Sequence, residues 1–249
     1  PMLSLAKTKE REELKRWLGD KEGLLSWKLD GLTIVLTYEG GQLVKAVTRG
    51  NGEVGEVVTP NARVFRNIPG RIAYQGSLVL RGEAVIPYSE FEKINAQIED
   101  ADAKYKNPRN LCSGSVRQLN NEITAKRSGY FYAFSYVKAE LDGAEPPFEN
   151  DRENQFRFLK EQGFDVVPYK RVNADTILAE IEWYAQAIQT YDIPSDGLVL
   201  CYCDLAYSAS LGLTAKFPRD SIAFKWADET AETTLLEIEW SPSRTGLIN

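Results

Sequence analysis

From Leu24 onward the chain changes its hydrophobic period repeatedly without settling into a strand-helix-strand repeat, and this irregular order restricts the fold more than any other feature. LLSWK at 24–28, LTIVLTYE at 32–39 and LVKAVT at 43–48 are rich in apolar and β-branched residues, and Gly40-Gly41 splits the last two as a hairpin turn does. SLVLRGEAVIPY at 77–88 reads as a strand with a charged interruption at Arg81 and Glu83, and further strands are expected at 196–203, 220–226 and 234–240. Helices are expected at 7–18, about 56–64, 89–98, 151–162 and 174–190, with a Pro-Arg-Asn loop leading into a turn or helix at 113–119. Without regular βαβ units the predicted class is α+β, built on antiparallel sheets.

Tyr130, Tyr132, Phe134 and Tyr136 fall on alternate positions, which predicts four aromatic rings on one face of a strand. Such a face fits a plain core as well as a stacking platform.

Composition removes whole classes of chemistry. The chain of 249 residues contains no histidine, so Ser-His-Asp and Cys-His nucleophilic systems and His-bearing metal sites are excluded within it. Cys112, Cys201 and Cys203 are odd in number, and Cys-Tyr-Cys is too tightly spaced for a usual disulfide or zinc site. Any catalysis must rest on Lys, Arg, Asp and Glu. An apolar fraction of 43% and a charged fraction of 27% are ordinary for a globular chain. There is no run of about 18 apolar residues and no signal-peptide core in PMLSLAKTKE, so a cytoplasmic, non-membrane protein is expected.

The net charge of −6 is a poor footprint for long-range attraction to nucleic acid. Lys104, Lys106, Arg109, Arg117, Lys126 and Arg127 nevertheless form one basic stretch, readable as a solvated face or as a local anion site. Arg109 and Arg117 are eight residues apart, which on a continuous helix places them about 80° apart around the axis, close enough to serve one anionic surface.

Lys28 and Asp30 lie two apart at a strand end in KLDG, where Gly31 permits a tight turn. Alone this is a surface ion-pair pattern. It is followed in order by TRGNGEVGE at 48–56, RGE at 81–83, NPRNLCSGSVRQL at 107–119, SDGLVL at 195–200 and AFKW at 223–226. This ordered set resembles the nucleotidyltransferase domain of the bacterial NAD-dependent DNA ligases over nearly the whole chain. ATP-dependent ligases and mRNA capping enzymes share Lys-x-Asp-Gly but not the TRGNG and NPRN blocks.

The resemblance implies an antiparallel-sheet nucleotidyltransferase domain at 1–232, then a hinge and the first strand of an OB-fold at 233–249. It implies that Lys28 attacks the α-phosphorus of NAD, expels nicotinamide mononucleotide and holds AMP as a phosphoramidate. AMP then passes to the 5′-phosphate of a nick in duplex DNA, and the 3′-hydroxyl displaces it. A free lysine, with a pKa of about 10.4, is mostly protonated at neutral pH, and the resemblance makes Lys225 and Arg49 the cations that would counter this.

By the same resemblance Lys225 also neutralises the α-phosphate, Asp30 orients the lysine or a metal-bound water, and Asp196 helps hold Mg²⁺. Glu83 accepts a ribose hydroxyl, Glu56 and the glycines before it lie beside the nucleotide, and Arg49 reaches ribose or phosphate. Phe134 stacks on adenine with Tyr132 as the fallback, and Arg109 and Arg117 meet nick phosphates or the nicotinamide nucleotide.

Three positions depart from the family pattern. Cys201 stands where a lysine is usual, implying one positive charge fewer near the α-phosphate; Ser26 replaces a glutamate that reads the adenine edge, and Asn51 replaces an aspartate. The chain also stops in mid-pattern, as an excised piece of a longer protein would, without the small helical domain, zinc element, helix-hairpin-helix modules and BRCT domain of full-length members. The expectation is a monomeric adenylation domain that binds NAD or AMP but is inactive or weak with NAD in isolation, because nothing orients the leaving group, with nicked DNA as partner of the whole protein. The rival readings are a non-catalytic nucleotide- or DNA-binding relative and, more distantly, a capping-type guanylyltransferase.

Overall fold

The computed structural model describes residues 3–226, and these form two β-sheets that line opposite walls of one cleft. Nine strands and eight helices are numbered in chain order. The five-stranded sheet has the order β1 (Ala6–Thr8), β9 (Ser221–Lys225), β8 (Ser195–Tyr202), β2 (Gly23–Leu29), β7 (Tyr169–Val172). The four-stranded sheet has the order β4 (Gln42–Thr48), β3 (Leu32–Glu39), β5 (Ser77–Val85), β6 (Tyr130–Glu140). Every pairing is antiparallel except β1 with β9. The α+β class and the antiparallel sheets agree with the irregular order of runs. The expected strand at 234–240 and the OB-fold start lie outside the described residues.

The helices are α1 (Arg11–Leu18), α2 (Thr59–Ala62), α3 (Tyr88–Ala96), α4 (Pro108–Val116), α5 (Asn121–Ala125), α6 (Arg152–Glu161), α7 (Ile177–Ala187) and α8 (Leu205–Leu211). Period 2 in β2 decides which side chains are core and which reach the cleft. Leu25 and Trp27 are buried, with the Tyr184 hydroxyl of α7 donating to the Leu25 carbonyl at 2.8 Å and Trp27 stacked on Tyr191. Ser26 and Lys28 take the opposite face and line the cleft.

β2 passes directly into β3 through Asp30-Gly31, so one turn joins the two sheets. A Cβ on Gly31 would lie 1.9 Å from the Ala84 carbonyl oxygen, so only glycine lets the turn approach β5 this closely.

Four local expectations are corrected. Residues 6–8 form strand β1, and the first helix starts at Arg11 rather than 7. The helix expected over 56–64 shrinks to Thr59–Ala62, because Val57 bridges Val47 and the Val58 N–H donates to the Ala46 carbonyl, keeping the chain extended there. The Pro-Arg-Asn segment is the first turn of α4, not a loop. Asn107 accepts the Asn110 N–H at 2.8 Å and Pro108 follows, the cap and first-position pair that start a helix.

The fourth correction concerns the aromatic stripe. β6 shifts register against β5 between Arg81 and Gly82 and again between Val79 and Leu80, and each bulge resets the alternation. Tyr136 therefore packs into a buried cluster with Phe148 and Phe158, while Phe134 is 38% exposed and faces the cleft.

Candidate active site

The cleft between the sheets has a volume of about 880 Å³. Seven Lys and Arg side chains line it against four Asp and Glu, so a chain of net charge −6 presents a positive cavity. Local charge, not the total, sets what this cavity attracts.

The five-stranded wall carries an ion cluster. Lys28 pairs with Gly197 and Leu29 with Ser195, which leaves Asp196 as the extra residue of a β-bulge. The bulge turns Asp196 onto the Lys28 face, and Lys28 Nζ lies 3.0 Å and 3.2 Å from its two carboxylate oxygens. The Ser195 hydroxyl lies 2.9 Å from the Lys28 carbonyl oxygen and 3.0 Å from that of Gly197, fastening the bulge. Lys225, opposite Gly197 on β9, brings its Nζ to 3.7 Å from Asp196 Oδ2. Gly197 is the spacer between the two lysines; a Cβ there would sit 1.9 Å from the Phe224 carbonyl oxygen.

The four-stranded wall is built differently. Glu83 accepts the Gly31 N–H at 3.1 Å and the Thr33 hydroxyl at 2.9 Å. Burial pushes its carboxyl up to about 7, with those two hydrogen bonds and the charge of Lys28 pulling less strongly the other way. Arg81 and Arg49 line the same wall, and the Arg49 Nη2 donates to Ser4 Oγ at 3.1 Å.

Asp30, at the joint, has its carboxyl raised by burial first and by the negative charge of Asp196 second, against the pull of Arg109, Lys28 and Lys225. Arg109 Nη1 stands 3.5 Å from Asp30 Oδ1. Arg117 also lines the cleft and pairs through Nε with Glu56 Oε1 at 3.2 Å. The two arginines from the ends of α4 thus reach one cavity. Glu56 itself is absent from the cleft lining among the described residues; its carboxylate faces Arg117 from outside.

Two features escaped the sequence reading. Thr33 supports Glu83 through the β3 to β5 register, which no local pattern reveals. Arg152 and Asp220 pair at 3.2 Å in the cleft lining, joined from α6 and the start of β9, again by tertiary contact alone. Cys201 lies four residues along β8 from Gly197, the partner of Lys28, which is about 13 Å at 3.3–3.4 Å per residue. Ser26 and Cys201 occupy successive rows leading inward, where the lining turns to Val199, Phe156, Val167 and Leu205.

Residues 1–229 match the family model described as the NAD-dependent DNA ligase adenylation domain. The chain belongs to this family. It is 65% identical over 249 residues to proteins named DNA ligase from Ruminiclostridium cellulolyticum and from Lachnoclostridium phytofermentans, covering all of the chain but 37% of each relative. A DNA ligase from Thermoanaerobacter sp. is 38% identical over 258 residues, of which the chain spans 38% of the length.

Among solved structures, an archaeal ATP-dependent RNA ligase superposes with a TM-score of 0.51 at 12% identity, covering 90% of this chain and 48% of that one. A putative ATP-dependent DNA ligase from Aquifex aeolicus gives 0.50 at 13%, covering 90% and 49%. At such identities the likeness concerns the fold. Membership of the adenylation family rests on the sequence match.

Proposed function

We propose that this chain carries out the first step of NAD-dependent DNA ligation, with Lys28 as the nucleophile. The Nζ lone pair attacks the α-phosphorus of NAD and a P–N bond forms. The pyrophosphate P–O bond breaks, its electrons leave on nicotinamide mononucleotide, and AMP stays on Lys28. The proton that the amine sheds departs along its hydrogen bond to Asp196. The observation that carries this reading is the pairing of Lys28 with Asp196 and, through it, with Lys225, in a positive cleft of a family member.

Lys225 supplies positive charge to the phosphate oxygens as charge builds. Glu83 orients the ribose, Phe134 offers a ring to the base, and Arg49, Arg109 and Arg117 bind phosphate. Asp30 and Asp196 suit Mg²⁺, which takes one or two carboxylates and completes its shell with phosphate and water. No group of three or more acidic or cysteine ligands forms a full cage among the described residues, in keeping with that sparse mode. When bound, the ion adds charge at the phosphates. Transfer of AMP to a nick, sealing of duplex DNA, a monomeric state and a cytoplasmic location belong to the proposal for the whole protein, as does a domain limit at residue 232. No helix among the described residues is long and apolar enough to cross a membrane.

Incubation with NAD followed by intact-mass measurement tests the reading. An AMP adduct is expected on the wild-type chain and none on Lys28→Ala; an adduct that survives the substitution refutes the assignment of the nucleophile.

A further inference from the structure

Arg81 is a charged cleft residue to which the reaction above gives no task. It stands on β5 two residues before Glu83, opposite Val35 and Ser135, so its side chain leaves the sheet on the Glu83 face and lines the same cavity. Its Nε is buried and has no hydrogen-bond partner. Among the described residues no carboxylate forms an ion pair with it. Its charged neighbour is Arg49, a second guanidinium, and burial together with that like charge lowers the pKa of Arg81.

A contrasting arginine in the same cleft shows what a structural role looks like. Arg152 donates from Nε to the Tyr202 carbonyl at 2.8 Å and from Nη2 to Ser208 Oγ at 3.1 Å and Asp220 Oδ2 at 3.2 Å. Its Nε and Nη2 donors are spent on the fold. Arg81 keeps a desolvated donor unspent beside a second cation, an arrangement that costs free energy in the unliganded chain and is relieved by an incoming anion.

We propose that Arg81, together with Arg49, forms a phosphate subsite on the four-stranded wall. A phosphate supplies acceptor oxygens for the planar fork and negative charge between two guanidiniums. Its source is either the adenylyl nucleotide or the 5′-phosphate of a nick, and the inference rests on the adenylation reading for both.

The test compares wild type, Arg81→Gln and Arg81→Lys in the full chain, by calorimetric titration with AMP and with adenosine, and by binding of a nicked duplex carrying a 5′-phosphate or a 5′-hydroxyl. Arg81→Gln is expected to weaken AMP about 10- to 100-fold and to leave adenosine unchanged. Arg81→Lys is expected to lie in between. Loss on AMP assigns the subsite to the nucleotide, and loss of the preference for the 5′-phosphate assigns it to the nick; either supports the proposal. The unliganded melting temperature is expected to hold or rise in Arg81→Gln, whereas an arginine that braces the sheet would lower it.

Equal losses for AMP and adenosine, or no loss in either phosphate arm, overturn the subsite. Wild-type AMP adduct formation by Arg81→Gln with unaltered AMP and nick binding sinks the subsite alone. A wild-type chain that neither binds AMP nor forms the adduct sinks the adenylation reading and the subsite with it.

Discussion

The two walls of the cleft handle charge in opposite ways. On the five-stranded wall, Asp196 sits between Lys28 and Lys225, so charges meet their counterparts within the protein. On the four-stranded wall, Glu83 is held by neutral donors, Thr33 and the Gly31 amide, and the buried Nε of Arg81 has no hydrogen-bond partner. A wall that balances its own charges holds reacting groups in register while awaiting substrate. A wall with unbalanced groups is completed by what binds to it. On the proposed function, rate would rest on the five-stranded wall and affinity on the four-stranded one.

The largest effect that can break this division lies at Lys225. Lys225→Ala is expected to slow AMP adduct formation about 10²- to 10³-fold, the scale of losing one preorganised charge-stabilising donor. AMP affinity should change by less than about tenfold, within the range of a single hydrogen bond. Single-turnover rates at saturating NAD, set beside calorimetric AMP binding, separate the two. A variant whose whole defect lies in affinity would move Lys225 to the binding side.

Much of this arrangement was legible in the chain, and its illegible parts have a common cause. Lys28, Asp30, Glu83, Asp196 and Lys225 could be picked out because the ordered blocks that hold them resemble the nucleotidyltransferase domain of the NAD-dependent DNA ligases, whereas KLDG alone reads as a surface ion pair. What periodicity could not give was the effect of bulges. Asp196 and Phe134 are both extra residues in their strands, aimed at the cleft because the alternation breaks at them. A strict period of 2 put Tyr136 beside Phe134, and the register shift at Phe134 separates them. β7, with only four residues, and α8, with seven, were too short to stand out. The helix expected at 56–64 gave way because Val57 and Val58 found partners on β4, a tertiary pairing that local composition does not encode.

A second prediction addresses the binding wall through pH. The folded chain holds a proton on Glu83 up to about 7, whereas the ordinary value is 4.5. Because the folded-state pKa is raised, this contribution to stability is complete below about 4.5 and is lost as pH rises to about 7, levelling above that. Glu83→Gln fixes a neutral group and should flatten that part of the curve. The measurement is the difference in urea midpoint between wild type and Glu83→Gln across this range. A difference that does not vary with pH would show that Glu83 is ionised throughout and that the wall is less desolvated than its burial implies.

The smallest effect is expected at the inner end, and it sharpens the boundary between the walls. Cys201 lies in the row of Leu24, two rows beyond Lys28, among Val199, Phe156 and Leu205. A lysine introduced there, Cys201→Lys, is placed to meet the base and not the α-phosphorus, since about 13 Å of strand separates the rows. Its effect should therefore appear as a change of less than about tenfold in AMP affinity, the scale of one hydrogen bond, with the rate of adduct formation at saturating NAD unchanged. Ser26→Glu, one row nearer the nucleophile, extends the series, and the double variant tests whether the two positions couple as neighbours on one sheet face do. An acceleration at saturating NAD in Cys201→Lys would place that charge at the reacting phosphorus after all. The five-stranded wall would then carry charge-stabilising groups along its whole length instead of at the Lys28 row alone.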